Sequence, residues 1–195
     1  MRMSLRSLLA LLTIAVATTA ASGVSAAPRD RCNRDDRSTV ALTPQQRVYV
    51  GTLDSYNTCM RSTGRSTELF VNDDIYTYGQ LHAVAGRYVA YTVNHVPECK
   101  ADCPPGVVST NITSVTDAGN GRTRDLFDGR VGALRLRPTG SVAWVGYGGP
   151  DGAELAIWTA AGRTTVDTGD ITHVVTTKTM LTWQHAGTTR RIAFR

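Results

Sequence analysis

The sequence predicts an all-β fold, a β-propeller-like array of about four antiparallel meander units, on three observations. The first is one clean unit, Val131 to Asp170, that reads as four short strands separated by Pro-Thr-Gly and Ala-Gly turns. The second is a spacing. Val48, Val89, Val142 and Leu181 fall 41, 53 and 39 positions apart, and Gly64, Gly121 and Gly162 fall 57 and 41 apart. The excess falls each time in the second unit, where an insertion from Asn94 to Gly106 sits. A period near 40 residues with four strands per unit is that of a propeller blade. The third is physical: a lone four-stranded meander is open at both edges and cannot cover its own faces, so it packs against copies of itself. A β-sandwich built from the same strands is the structural alternative.

In chain order, residues 1–26 read as a signal peptide. Arg2 and Arg6 precede an uncharged, Leu- and Ala-rich run that ends in Val24-Ser25-Ala26 before Ala27. Residues 27–37 form a charged leader containing Cys32, too polar for a core strand and suited to a strap over the surface. Residues 38–195 are then a single β domain. Unit one pairs Ser38 to Leu42 with Arg47 to Gly51 across a Pro44 turn, and Cys59 to Thr67 runs in register with Ile157 to Thr165. Unit two opens at Leu81 to Ala85, turns at Gly86-Arg87 and continues through Tyr88 to Val93. It resumes at Val107 to Thr116 and turns at Asn120-Gly121, the strongest local hairpin signal in the chain. The third unit is the clean one. Unit four has Ile171 to Thr176, Thr179 to Gln184 and Thr188 to Phe194, with no fourth strand. Tyr49, Tyr91, Trp144 and Trp183 recur at one strand position and read as core layers.

The strand Gly86-Arg87-Tyr88-Val89-Ala90-Tyr91, its relative Gly140-Ser141-Val142-Ala143-Trp144 and the recurring Gly-Arg turns at Gly64, Gly121 and Gly162 resemble secreted β-propeller repeat proteins of the TolB-like and WD-repeat kind. The resemblance implies blades arranged around an axis. With four units, two closures are open: a monomer whose leader completes the last blade, or an arc that pairs with a second copy as a homodimer.

The chain carries 21 basic against 16 acidic side chains, and loss of residues 1–26 leaves a net charge of about +3. That is too mild to point to nucleic acid. No membrane association is expected once the signal is removed, so the protein is expected to be secreted. Four cysteines follow the signal, and an even count in an exported chain implies disulfides. Cys99 and Cys103 are close enough to staple the insertion, which pairs Cys32 with Cys59 by elimination; the other two connectivities stay open. His95, Cys99 and Cys103 could alternatively hold a copper or zinc ion.

In a meander the connections between strands two and three share one edge with the crossings between units, and the tight turns share the other. The longer, aromatic and acidic loops therefore gather at one end, where binding residues usually sit. Asp73, Asp74, Tyr76, Tyr78, His95 and Tyr147 are the candidate ligand-binding residues on that basis. No catalytic motif, nucleotide-binding loop or cofactor signature appears. His82, His173 and His185 lack a carboxylate at a telling sequence distance and read as structural. The expectation is a non-catalytic binding module for an unknown envelope or extracellular ligand, with metal handling and a propeller-type hydrolase as alternatives.

Overall fold

A computed structural model describes residues 31–32, 37–73, 76–97, 109–149 and 152–195. Fifteen strands build four consecutive antiparallel sheets, and no α-helix occurs among the described residues. The first sheet is β1 (Ser38–Leu42), β2 (Gln46–Val50), β3 (Ser55–Met60) and β4 (Ser66–Val71). The second is β5 (Thr77–Ala85), β6 (Tyr88–His95), β7 (Thr110–Asp117) and β8 (Arg122–Asp128). The third is β9 (Arg130–Leu136), β10 (Val142–Gly149), β11 (Gly152–Thr159) and β12 (Gly162–Gly169). The fourth is the three-stranded β13 (Ile171–Thr176), β14 (Met180–His185) and β15 (Thr188–Ala193). Each sheet pairs its strands in sequence order, which is the expected series of meanders.

Three apolar clusters join the sheets in chain order. Val48 and Phe70 meet Val89 and Tyr91 between the first and second. Ala90 and Val115 meet Val142 and Trp144 between the second and third. Val145 and Ile157 meet Leu181 and Trp183 between the third and fourth. Both faces of the two inner sheets are thus covered, which is why β10 reads as an unbroken apolar run. Among the described residues no apolar cluster joins the fourth sheet to the first. Propeller-like and sandwich-like arrangements both accommodate four sheets joined in this way.

The repeat is visible atom by atom. Tyr91, Trp144 and Trp183 are each buried two residues beyond Val89, Val142 and Leu181, all on the face toward the preceding sheet. Thr43 donates its hydroxyl to the Gly86 carbonyl, and Arg137, its counterpart, donates to the Thr177 carbonyl. Both reach the first turn of the next sheet. One marker of the spacing is out of phase. The turn closed by Leu42 and Arg47 is one residue shorter than that closed by Leu136 and Val142, so Arg47, and not Val48, stands where Val142 stands. Because alternate residues face opposite ways, Tyr49 joins the Trp144 and Trp183 layer while Val48 points to the second sheet.

That leaves Arg47 and Tyr49 facing a side with no preceding sheet among the described residues, and leader residues cover them. Cys32 is bonded to Cys59, with the Cα atoms 5.8 Å apart, as elimination predicted. The buried Arg47 guanidinium donates to the carbonyls of Cys32 (2.8 Å) and Arg37 (2.5 Å). Arg37 donates to the Tyr49 hydroxyl at 2.6 Å, its guanidinium 4.8 Å from the ring centroid. Residues 1–30, the signal-like segment included, and both Cys99 and Cys103 lie outside the described residues.

Candidate functional site

Strands run further toward the long-loop end than their sequence signals indicate. β5 begins at Thr77 and takes in Tyr78, β6 continues to His95, and β10 continues through Tyr147 to Gly149. Gly79 and the Gly148-Gly149 pair, which look like strand breakers, lie inside strands. At Gly79 the absence of a side chain is what admits the next sheet: a Cβ there would stand 2.2 Å from the Phe70 ring. Gly79 therefore faces the first sheet, and by alternation Tyr78 and Gln80 face the third.

Register then places two polar rows on that face. Tyr78 pairs with Asn94 and Asn94 with Asn111; Gln80 pairs with Thr92 and Thr92 with Thr113. The crossing at Gly129, whose N–H donates to the Asn111 carbonyl at 2.9 Å, delivers Val131 opposite them, while Arg130, the partner of Tyr147, turns its side chain to the other face of the third sheet. Between the second and third sheets this leaves a cleft of about 260 Å³ lined by Gln80, His82, Thr92, Asn94, Asn111 and Arg130, together with Gly129 and Val131. Its inner wall is tied together. His82 Nε2 lies 2.7 Å from Thr92 Oγ1, which lies 2.7 Å from the fully buried Thr113 Oγ1. Burial pushes the His82 imidazole below its ordinary value of 6.5, so it is neutral at neutral pH.

The outer lining is not tied. The side chains of Gln80 and Asn111 make no hydrogen bond or ion pair among the described residues. A second hollow, about 280 Å³, lies against the second sheet at its tight-turn end and includes Tyr88, Asp117, Arg122 and Arg124. There the polar groups are largely engaged: Asp117 holds Arg87 at 2.9 Å, and Arg124 donates to the Gly140 carbonyl. The loop-end cleft keeps its Gln80 and Asn111 amides free for hydrogen bonding at its solvent side.

Comparison with protein-family models, with curated proteins and with solved structures finds no match. Chemistry alone has to characterise the cleft. Its lining includes no carboxylate, and Arg130, at its edge, contributes backbone while its side chain follows that of its partner Tyr147. The His82–Thr92 contact has the reach of a base and a hydroxyl nucleophile. Yet Thr92 shares its hydroxyl with Thr113, and no carboxylate among the described residues orients the imidazole, so the contact reads as a clamp between β5 and β6. Among the described residues no group of three or more His, Cys, Asp or Glu side chains could hold a metal, and no helix is long and apolar enough to cross a membrane.

The residues singled out from the sequence share one end of the array but not one face. Tyr78, 49% exposed, stands at the edge of the cleft, in the row with Asn94 and Asn111. His95 follows Asn94 and so faces the first sheet, where its Nδ1 lies 3.3 Å from Thr77 Oγ1. Asp73 turns its carboxylate on its own loop, accepting the N–H groups of Tyr76 (2.7 Å) and Thr77 (2.6 Å). Tyr76 engages through its backbone, accepting the Val96 N–H at 2.6 Å. Tyr147 lies over Gly132, where a Cβ would meet its ring at 2.6 Å, on the far face of the third sheet from the cleft. Asp74 lies outside the described residues, as do the cysteines of the metal alternative.

Two features were invisible in the sequence. One is the cleft, since Gln80, Asn94, Asn111 and Arg130 come from four strands and form no motif. The other is a carboxylate partner for His185: Asp167 Oδ1 lies 3.1 Å from its Nδ1. Asp167 also accepts Trp183 Nε1 at 2.6 Å and Arg190 at 3.0 Å, so it clamps the third sheet to the fourth. Burial alone would raise this carboxyl. The hydrogen bonds from Trp183 and the Thr168 N–H, with the charges of Arg190 and His185, outweigh that and hold it below its ordinary 3.8.

Proposed function

We propose that the protein is a secreted, non-catalytic binding module of the cell envelope whose ligand occupies the cleft between the second and third sheets. The observation that carries this reading is the pair of unengaged side-chain amides of Gln80 and Asn111 on a wall otherwise fixed by hydrogen bonds. Polar groups on a rigid scaffold, facing solvent and lacking internal partners, are preorganised for a ligand. Export is supported by the signal-like residues 1–26 and by the Cys32–Cys59 disulfide, a bond that persists in oxidising compartments.

The test is co-sedimentation of the mature, oxidised protein with insoluble envelope polymer from the producing cell. Wild-type protein is expected in the pellet, and the double variant Gln80→Ala/Asn111→Ala in the supernatant with its thermal midpoint retained. Equal pelleting of the two proteins, or no pelleting of either, overturns the reading. Gel filtration of the same protein decides between the monomeric and dimeric closures.

A further inference from the structure

We propose that the tight-turn end of the array is a second binding face, for a linear anionic polysaccharide. It lies at the opposite end from the cleft and stands independently of what the cleft holds.

The first observation is how formal charge divides between the two ends. The tight turns of neighbouring sheets meet: Thr43 and Gln46 both donate to the Gly86 carbonyl, and a Cβ at Gly86 would stand 3.1 Å from Pro138. Among the described residues these turns carry Arg65, Arg87, Arg122, Arg137 and Lys178 in or beside them, against a single side-chain carboxylate, Asp117, which Arg87 already holds at 2.9 Å. The crossings and longer loops at the other end carry Asp54, Asp73, Asp128 and Asp170 against one arginine, Arg130. The two signs thus sit at opposite ends, and a polyanion is steered to one of them.

The second observation is how the cations are held. At each junction between neighbouring sheets an arginine reaches across to a backbone carbonyl: Arg65 to Asn120 at 2.9 Å, Arg124 to Gly140, and Arg137 to Thr177 and, at 2.9 Å, to Phe194. A carbonyl fixes a guanidinium without neutralising it, and it occupies only part of a five-donor fork. The ordering that long side chains would otherwise undergo on binding is complete once the protein has folded. Arg122 and Lys178 flank the second and third of these bridges, exposed and with no hydrogen bond or ion pair from their side chains among the described residues.

Spacing and surroundings point to the class of ligand. Sheets packed face to face lie about 10 Å apart, so the bridges present a series of charges at roughly that interval. A small anion reaches one of them, whereas a charged chain reaches several at once. The aromatic rings beside the bridges are taken: Arg87 lies 5.3 Å over Tyr88, Arg124 5.6 Å over Trp158 and Arg137 4.8 Å over Phe194. None of the three is left bare for a base to stack on, which favours a sugar polymer over a single-stranded nucleic acid. The hollow of about 280 Å³ beside Arg122 and Arg124, with the Asn120 amide on its wall, offers a sugar hydroxyl a partner next to the charge.

The test is titration calorimetry of the mature, oxidised protein at low ionic strength with polygalacturonate, galacturonate monomer and oligothymidylate as probes. Polygalacturonate is expected to bind at least about tenfold more tightly, per charge, than either of the others. Arg122→Gln and Lys178→Gln should each weaken it by about threefold or more, while Arg130→Gln, the same loss of charge at the other end, should leave it within about 1.5-fold. The cleft variant Gln80→Ala/Asn111→Ala should bind it as the wild type does. Equal losses from Arg122→Gln and Arg130→Gln, in proteins of unchanged thermal midpoint, overturn the localised face, and so does a monomer that binds as tightly per charge as the polymer. Oligothymidylate binding as tightly as polygalacturonate overturns the sugar polymer. Loss of polygalacturonate binding in the cleft variant, or no binding by the wild type, overturns the proposal and leaves the pelleting test of the cleft to be decided separately.

Discussion

The first and fourth sheets end the array, and they treat their outward faces in opposite ways. β2 is buried on both sides: Gln46 and Val48 face the second sheet, while Arg47 and Tyr49, only 5% and 2% exposed, face outward under the leader. β14 alternates. Leu181 and Trp183 face the third sheet, and Thr182 and Gln184 face outward, half-buried and polar. A terminal unit of a stacked array needs either a cover or a polar outer face. Here the N-terminal unit has the cover and the C-terminal unit has the polar face. The difference also explains an arginine where the inner sheets have Val89 or Val142: the cover is backbone, and its carbonyls need a donor.

The sharpest way to break this comparison is to release the cover. Cys32→Ser/Cys59→Ser removes a cross-link spanning 27 positions and exposes Tyr49, and is expected to cost about 3 kcal/mol or more of unfolding free energy. Denaturant midpoints of the variant and of the oxidised wild type measure it. A cost below about 1 kcal/mol would mean the leader adds nothing to the first sheet's stability.

At the other end the strongest single tie is Asp167, not a cover. Asp167→Ala strands the Trp183 N–H and the Arg190 guanidinium, an expected loss of about 2 kcal/mol. The sign of its pH dependence follows from the lowered carboxyl. With the unfolded group near 3.8 and the folded group below it, the contribution is complete above 3.8 and is lost as pH falls through the folded value. Asp167→Asn should therefore flatten the acid limb of the stability curve. An unchanged limb would place the acid sensitivity elsewhere.

His82 also costs stability on acidification, but in a higher pH window, and it reports on the inner sheets. Its imidazole is lowered, so the folded protein resists protonation that the unfolded chain accepts. Stability is unaffected above 6.5 and declines as pH drops below it, levelling once the folded value is passed. His82→Gln should remove the part of the decline that begins near 6.5 and leave the part that begins near 3.8. Thermal midpoints from about pH 2 to pH 8, compared for the two single variants, separate the inner interface from the outer clamp.

Much of this was legible in the sequence for a physical reason. The period of two in the strands and the roughly 40-residue recurrence record burial between sheets, and both survive in Val89, Val142 and Leu181. What was lost depended on faces and on distance. Val48 looked equivalent to Val142 because a one-residue difference in a turn exchanges the faces of a strand without disturbing its composition. Tyr78, His95 and Tyr147 looked like neighbours because they share an end of the array, yet alternation sends them to three different surfaces. Gly79 reads as a breaker, although it is the place where Phe70, stacked on Tyr56 at 4.5 Å, presses against β5. The cleft itself is a product of register between strands, and no single stretch of chain announces it.

The smallest expected effect is also the most discriminating between a polar finish and a hidden partner at the fourth sheet. If Thr182 and Gln184 meet only solvent, Gln184→Lys should change the unfolding free energy by no more than about 0.5 kcal/mol and leave gel-filtration behaviour unchanged. The matched substitution at the covered end, Tyr49→Lys, would bury a charge beside Arg37 and Arg47 and cost several times as much. A second copy seated on the fourth sheet would reverse the first expectation, because a lysine at that interface would weaken the dimer and make the thermal midpoint of the wild type, but not of the variant, depend on protein concentration. Concentration-independent midpoints for both proteins would leave the asymmetry intact: one end of the array closed by the chain's own backbone, the other by the polarity of its side chains.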